Sequence, residues 1–215
     1  MSSVGNRTGS YLISLAALLI VTGAMVAGTP RNAFPQAAGK ASGEEVAEAR
    51  SIEVKLYDLE LLDQDGRKVR FASDVVGDRI VVIDTFFTTC GLICPILSAI
   101  YADLQDRMGD RLGKDVALVS ISVDPATDIP PRLKEFAGKW EAKPGWVFLT
   151  GQKQTVDRVL EGLGFYSADF AAHPAAIVVG DGKSGDWTRY YGFASPEQLL
   201  GRVDELSAAR RANAR

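Results

Sequence analysis

Histidine, cysteine and a surplus of basic charge are what this 215-residue chain has least of: it carries one histidine, two cysteines, and 24 Lys+Arg against 27 Asp+Glu, for a net charge of -3. Without a basic excess there is nothing to neutralise a phosphate backbone, which argues against nucleic acid as a partner. One imidazole and two thiols make at most three soft donors, too few for a closed structural zinc site, which normally takes four. Also missing are an internal repeat at the periods that mark solenoids and an Arg-rich, Ser-rich amphipathic presequence of the mitochondrial type. From Thr29 to Arg50 (TPRNAFPQAAGKASGEEVAEAR) large apolar residues are scarce. That stretch cannot pack and reads as a flexible linker over 29–50, with room for one helical turn from Glu44 to Arg50.

Charge is absent altogether from Tyr11 to Gly28 (YLISLAALLIVTGAMVAG), eighteen residues with Leu, Ile and Ala on all sides. No polar face emerges, so a buried helix of a soluble domain is disfavoured. The run is at the short end for crossing a bilayer and serves either as an uncleaved anchor or as the apolar core of a secretion signal. Arg7 gives it a positive flank, and Val26 and Gly28 form a weak cleavage site before Thr29. Length favours the anchor. Both alternatives export the rest of the chain, which points to a bacterial envelope protein. The expected organisation is a tail over 1–10, a transmembrane anchor or signal over 11–28, the linker over 29–50 and a folded domain over 51–215.

Within the domain, Lys55 to Phe71 holds apolar residues on either side of Asp63-Gln64-Asp65-Gly66, a pattern that predicts an N-terminal β-hairpin. Arg79 to Phe87 (RIVVIDTFF) and Val116 to Val123 (VALVSISV) are near-continuous apolar runs, as in strands covered on both faces. Between them, Leu97, Ile100, Leu104, Met108 and Leu112 recur every three or four residues, predicting an amphipathic helix from Pro95 to about Leu112 with Gly113 beyond its end. Further helices are expected over Pro131 to Trp140 and Gln152 to Leu163, and strands over Trp146 to Leu149, Ala175 to Val179 and Asp186 to Tyr191. Ser195-Pro196-Glu197 opens a terminal helix with a capping residue, an N1 proline and an early acid. The fold class is α/β, a central mostly parallel sheet flanked by helices.

The scarce residues cluster. Cys90 and Cys94 stand in Thr88-Thr89-Cys90-Gly91-Leu92-Ile93-Cys94-Pro95, between a predicted strand and a predicted helix, where open α/β sheets place their sites. Taken singly, a cysteine is most often a small buried hydrophobe and a lone histidine a hydrogen-bonded or surface residue. Two cysteines four apart with a proline after the second are harder to dismiss. If the strand from Ala175 runs antiparallel to the one before the cysteines, His173 and Pro174 face the same loop. Two thiolates and an imidazole suit Cu(I), with zinc as competitor. On a regular helix residues four apart hold their Cβ atoms about 5–6 Å apart, whereas a disulfide wants roughly 3.8 Å. A direct disulfide therefore needs Cys90 in the loop. The helix start is expected to favour a thiolate at Cys94.

The run FFTTCGLICP (Phe86 to Pro95), Leu104-Gln105, VSISVDP (Val119 to Pro125) and the downstream His173 resemble the Sco (SenC-type) family of membrane-anchored copper proteins over about residues 51–205. The resemblance implies a thioredoxin-like domain on the outer face of the bacterial inner membrane, in the periplasm. It further implies a copper ion held by Cys90, Cys94 and His173, and a cysteine pair cycling between dithiol and disulfide. By the same resemblance, the role is metallochaperone, assisting assembly of the dinuclear copper centre of cytochrome c oxidase. The partner is then the copper-accepting subunit of that oxidase or another exported cuproprotein. Asp124 matches the acid of the family's Ser-Val-Asp-Pro motif, though a turn residue before Pro125 is the simpler role. One departure stands out: the family's histidine follows an acid and precedes a small hydroxyl residue, whereas Ala172 and Pro174 flank it here. Loss of an outer-shell hydrogen bond of this kind typically costs about 10–100-fold in metal affinity, so the site is expected to lean toward redox exchange.

Three other readings compete. A thiol–disulfide oxidoreductase would keep acceptor cysteines reduced, with Cys90, nearer the loop tip, as attacking thiol. A peroxidase would leave Cys94 surplus. A purely structural disulfide would close a short loop worth about 2–3 kcal/mol and leave His173 without a role. Phe165, Tyr166 and Phe170 ahead of the histidine are read as core packing before a docking face.

Overall fold

The computed structural model describes residues 47–169 and 175–214. The apolar run at 11–28, most of the linker, Phe170, His173 and Pro174 lie outside the described residues. Among the described residues no helix is long and apolar enough to cross a membrane.

A single 8-stranded sheet runs through the described domain, built from β1 (Glu48–Ser51), β2 (Glu60–Asp63), β3 (Lys68–Arg70), β4 (Ile80–Phe86), β5 (Val116–Ser122), β6 (Trp146–Thr150), β7 (Ala176–Asp181) and β8 (Trp187–Tyr191). Its spatial order is β1-β8-β7-β4-β5-β6-β2-β3. Only the β4–β5 and β5–β6 pairs are parallel, and every other pair is antiparallel. The expected mostly parallel sheet is therefore corrected to a mixed one. Strand periodicity reports which faces are buried and says nothing of the direction of a neighbour, which depends on how each connection returns.

The apolar runs become β4 and β5, buried at every position. The predicted hairpin forms as β2 and β3 with Leu61 opposite Val69, but its first strand starts at Glu60, later than Lys55. Lys55 instead donates its backbone N–H to the Gly162 carbonyl (2.9 Å). Gly66 turns the hairpin at φ +76, a left-handed conformation that glycine adopts without a Cβ clash. An unexpected π-helical turn, Phe71–Val76, follows. At the other edge the chain joins the sheet from Glu48, inside the segment expected to be linker and where a helical turn had room to form. The β8 edge offers unpaired backbone groups, and satisfying them outweighs the weak intrinsic preference of EARS.

Helices α1 (Ile93–Met108), α2 (Pro130–Lys139), α3 (Lys153–Leu163) and α4 (Pro196–Asn213) cover the sheet. Alternation along β4 splits the core. Ile80, Val82 and Phe86 pack with α1, α2 and α4, whereas Val81 and Ile83 pack with α3 and the π-helical turn. Helix α1 ends at Met108 rather than near Leu112, because Gly109 takes φ +52 just past its end. α4 begins with a full capping box: the Ser195 hydroxyl accepts from the Gln198 N–H, and the Gln198 side chain accepts from the Ser195 N–H.

Leu104→Ala, which empties a fully buried position of α1, is expected to lower unfolding free energy by about 2–5 kcal/mol. Ser195→Ala should cost about 1 kcal/mol. Urea titrations of both variants check the ranking, and equal midpoints would contradict this division between core and cap.

Candidate functional site

The antiparallel pairing of β7 with β4 (Asp84 opposite Ile177) and the parallel pairing of β5 with β4 (Phe86 opposite Ser122) bring three chain segments to one edge of the sheet. These are the loop after β4 that carries Cys90, the loop after β5 that carries Asp124 and Asp128, and the start of β7. Ala175 is anchored there, its carbonyl accepting the Gly192 N–H (2.9 Å). His173 itself lies outside the described residues. Among the described residues no three Cys, His, Asp or Glu side chains form a metal-holding group.

Cys90 and Cys94 are free thiols, Cys90 half-buried and Cys94 buried. Because α1 starts at Ile93 rather than Pro95, Cys94 lies in the first helical turn and Cys90 in the loop. The N-cap residue, Leu92, makes no side-chain capping bond. The N–H groups of the helix start turn to the Cys90 sulfur instead, and the Cys94 N–H donates to Cys90 Sγ at 3.4 Å. Burial alone would push the Cys90 thiol up. Hydrogen bonds from the Cys94 thiol and from the backbone at Cys94, Leu92 and Ile93 outweigh it and hold Cys90 below its usual value. Cys94 goes the other way, pushed up to about 12 by burial, by its bond to Cys90 and by the negative field of Cys90 and Asp84, against a backbone hydrogen bond at Phe87. The expected thiolate at Cys94 is thus reversed: the helix-start donors serve the sulfur lying ahead of the helix.

Two buried acids escaped the sequence reading. Asp84 sits on β4 with its side chain on the α1 face, 1% exposed. Burial pushes its carboxyl up to about 7, against a hydrogen bond from Ser120. Ser120 also accepts from Trp146 Nε1 (3.0 Å), while among the described residues Asp84 Oδ1 and the Tyr101 hydroxyl have no hydrogen-bond partner. The signal in the sequence was the one acid within RIVVIDTFF. Asp128 is fully buried and accepts the Thr88 N–H (3.1 Å), the Thr88 hydroxyl (2.5 Å) and the Ser122 hydroxyl (2.6 Å). Asp124 takes the turn role: its carbonyl accepts from Thr127 and Asp128 N–H, and its own N–H donates to Ser122 Oγ. Phe165 is core, with the Arg189 guanidinium over its ring at 4.8 Å, and Tyr166 is exposed. Leu92, Ile96 and Ile129 stand exposed on the two loops and the helix start beside the cysteines.

A mixed sheet whose central strand leads through a dithiol loop into a helix start defines a thioredoxin-like domain. The SCO1/SenC family model matches residues 49–206, more than half of the chain, and the chain belongs to that family. The SCO1 protein homolog of Bacillus subtilis is 33% identical over 114 residues, covering 53% of this chain and 56% of the relative. Protein SenC of Rhodobacter capsulatus is 31% identical over 125 residues, covering 54% and 55%. The chain thus spans about half the length of these curated relatives. Among solved structures, BsSco, a member of the Sco family of cytochrome c oxidase assembly proteins in which a disulfide switch was identified, superposes with TM-score 0.62 at 24% identity, over 74% of this chain and 96% of that one. Copper-bound ScoI of Bradyrhizobium japonicum superposes with TM-score 0.57 at 21% identity, over 74% and 98%.

Asp84 has a measurable consequence. Its carboxyl titrates near 7 when folded and near 3.8 when unfolded, so between those values the folded state holds a proton that the unfolded state has released. Stability is greatest below about pH 4 for this group and is lost as pH rises through 7, by up to about 4 kcal/mol. Asp58 and Asp181, both held down to about 2, act below that window. Asp84→Asn should flatten the decline of unfolding free energy between about pH 4 and 7, read from urea titrations. An unchanged slope would show that Asp84 is not its source.

Proposed function

We propose that this protein is a copper-binding metallochaperone that assists assembly of the dinuclear copper centre of cytochrome c oxidase, through Cys90, Cys94 and His173. The observation that carries the reading is the reduced pair at the end of β4, one sulfur in the loop and one on the helix, with Cys90 held low and Cys94 high. Family membership, the copper-bound ScoI structure and the oxidase-assembly role of the BsSco family support it. Thiolate donors match a soft monovalent ion, and an ion that must leave again is served by few ligands.

Cys90, the more accessible and more acidic thiol, meets the incoming ion first. Cys94 gives up its proton on joining, so uptake releases a proton at neutral pH. His173 stands two residues ahead of Ala175, which is anchored at the same edge, and a chain spans at most about 3.6 Å per residue. Its neutral imidazole supplies the third donor in this reading. Release then proceeds by ligand exchange with an acceptor cysteine pair, in the oxidase's copper-accepting subunit or another exported cuproprotein. The apolar run at Tyr11 to Gly28 would hold the domain at the periplasmic face of a bacterial inner membrane, or be cleaved to leave it soluble in the periplasm.

The same asymmetry favours a second reading, a thiol–disulfide oxidoreductase that keeps the acceptor's cysteines reduced. There Cys90 as thiolate attacks one sulfur of the partner's disulfide and the other leaves and takes up a proton. Cys94 then gives up its proton, attacks Cys90 Sγ and expels the partner's remaining sulfur, which takes up a proton, leaving Cys90–Cys94 oxidised and the partner reduced.

Copper titration of the reduced protein separates the two. His173→Ala should weaken copper binding beyond the roughly 10–100-fold that loss of an outer-shell partner costs, and Cys90→Ser, which leaves Cys94 as the one sulfur donor, should reduce the sulfur-to-copper absorption. Wild-type affinity in His173→Ala would remove the histidine from the site. Disulfide turnover without copper that disappears in Cys90→Ser would support the oxidoreductase.

A further inference from the structure

We propose that Asp128 is the positioning residue of the cysteine pair: its buried carboxylate clasps the loop after β4 to the loop after β5 and thereby sets where Cys90 stands relative to Cys94. The inference deepens the copper reading and rests on it for the metal, but not for the thiols.

The two sulfurs are held by different means. Cys94 belongs to α1, a 16-residue helix packed on the sheet through Leu97, Tyr101 and Leu104, so its backbone is fixed by the helix. Cys90 belongs to a short loop whose tip is open: Thr89 and Gly91 are exposed, Leu92 is 82% exposed, and a Cβ on Gly91 would meet nothing within 4 Å. The Cys90 N–H donates to the Phe87 carbonyl at 3.1 Å, a bond internal to the loop. Phe87 and Cys90 also pack against the core, and Thr88 ties the loop by hydrogen bonds to a different segment of chain. Its N–H and hydroxyl both donate to the Asp128 carboxylate, forty residues away in sequence.

The receiving end is rigid. Asp128 and Ser122 are both fully buried, and the Ser122 hydroxyl donates to Asp128 Oδ2 at 2.6 Å. Ser122 Oγ in turn accepts the Asp124 N–H, while the Asp128 N–H donates to the Asp124 carbonyl (2.9 Å). The turn Asp124–Asp128 is therefore closed on itself and fastened to the last residue of β5. Among the described residues no lysine or arginine forms a salt bridge with Asp128. A buried carboxylate satisfied by neutral hydroxyl and amide donors is a costly way to fill space, and an apolar side chain would fill it more cheaply. What it gives the fold is direction, because hydrogen bonds to a fixed acceptor hold Thr88, and with it Cys90, at one distance from the helix. Preorganisation of this kind acts on whatever joins the two sulfurs, an ion or a disulfide bond.

The test uses the full-length reduced protein and four variants: Asp128→Ala, Asp128→Asn, Thr88→Val and, as a stability control in the opposite core layer, Val159→Ala. Two readouts are taken beside thermal unfolding. One is copper affinity by competition with a chromophoric chelator. The other, without copper, is the equilibrium of the Cys90–Cys94 disulfide against oxidised and reduced glutathione, which reports the effective concentration of one thiol at the other. Asp128→Ala should lower both by about tenfold or more, within the range that loss of an outer-shell partner gives. Asp128→Asn, which keeps one acceptor oxygen, should recover most of each, and Thr88→Val, which removes only the hydroxyl bond, should fall between. Val159→Ala should unfold earlier with both readouts unchanged. If Asp128→Ala does not fold, Thr88→Val decides alone. Wild-type values for both readouts in a folded Asp128→Ala or in Thr88→Val, or equal losses in Val159→Ala, would overturn the proposal. A wild-type protein that fails to bind copper, with the glutathione equilibrium still shifted in Asp128→Ala, would sink the copper reading and leave the positioning role standing.

Discussion

The pairing of β4 with β5 on one side and β7 on the other is the constraint from which the site follows. Seven consecutive buried residues from Ile80 to Phe86 commit β4 to the middle of the sheet, where both its edges must be satisfied by neighbours. A parallel partner ends where β4 ends, and an antiparallel partner begins there. The cysteine loop, the Asp124–Asp128 turn and the chain entering β7 are thus delivered to one place by backbone hydrogen bonding, before any side chain of the site contributes. Phe86, the last residue of β4, packs against Phe136 and Phe148 at 5.0 and 5.5 Å, which gives that edge a solid floor.

On that floor the two thiols are made unequal by their positions rather than by their chemistry. Cys94 lies buried in the first turn of α1, over the face that carries Asp84. Cys90 lies at the loop, where the N–H groups that begin the helix can reach its sulfur. A more acidic, more accessible sulfur beside a sheltered one that holds its proton more tightly is useful for capturing an ion that must be handed on, and equally for opening a disulfide. The two functional readings share this physics and differ in what arrives at the loop.

Much of the fold was readable because its strongest elements announce themselves locally. The continuous apolar runs of β4 and β5, the apolar spacing of α1 and the capping box at Ser195 each depend on near neighbours in sequence. The mixed character of the sheet was not readable, since burial looks the same whether a neighbour runs parallel or antiparallel. Nor was the recruitment of Glu48–Ser51 as an edge strand, whose charged sequence has little strand character and is ordered by the open side of β8. The π-helical turn at Phe71–Val76 and the early end of α1 at Gly109 are local adjustments that periodicity does not resolve.

The sequence by itself determined the chemistry available: two thiols four residues apart at a strand–helix junction, one imidazole far downstream, and no surplus of such donors elsewhere. Spacing alone could say that Cys90 had to leave the helix for the sulfurs to meet. Only the tertiary structure decided which sulfur holds its proton more tightly and which acids stand behind the pair, because proton affinity is set by burial and by donors from distant segments. Asp84 and Asp128 look like ordinary acids in a strand and a loop until folding removes the water around them. Their meaning comes from the neighbours that folding supplies.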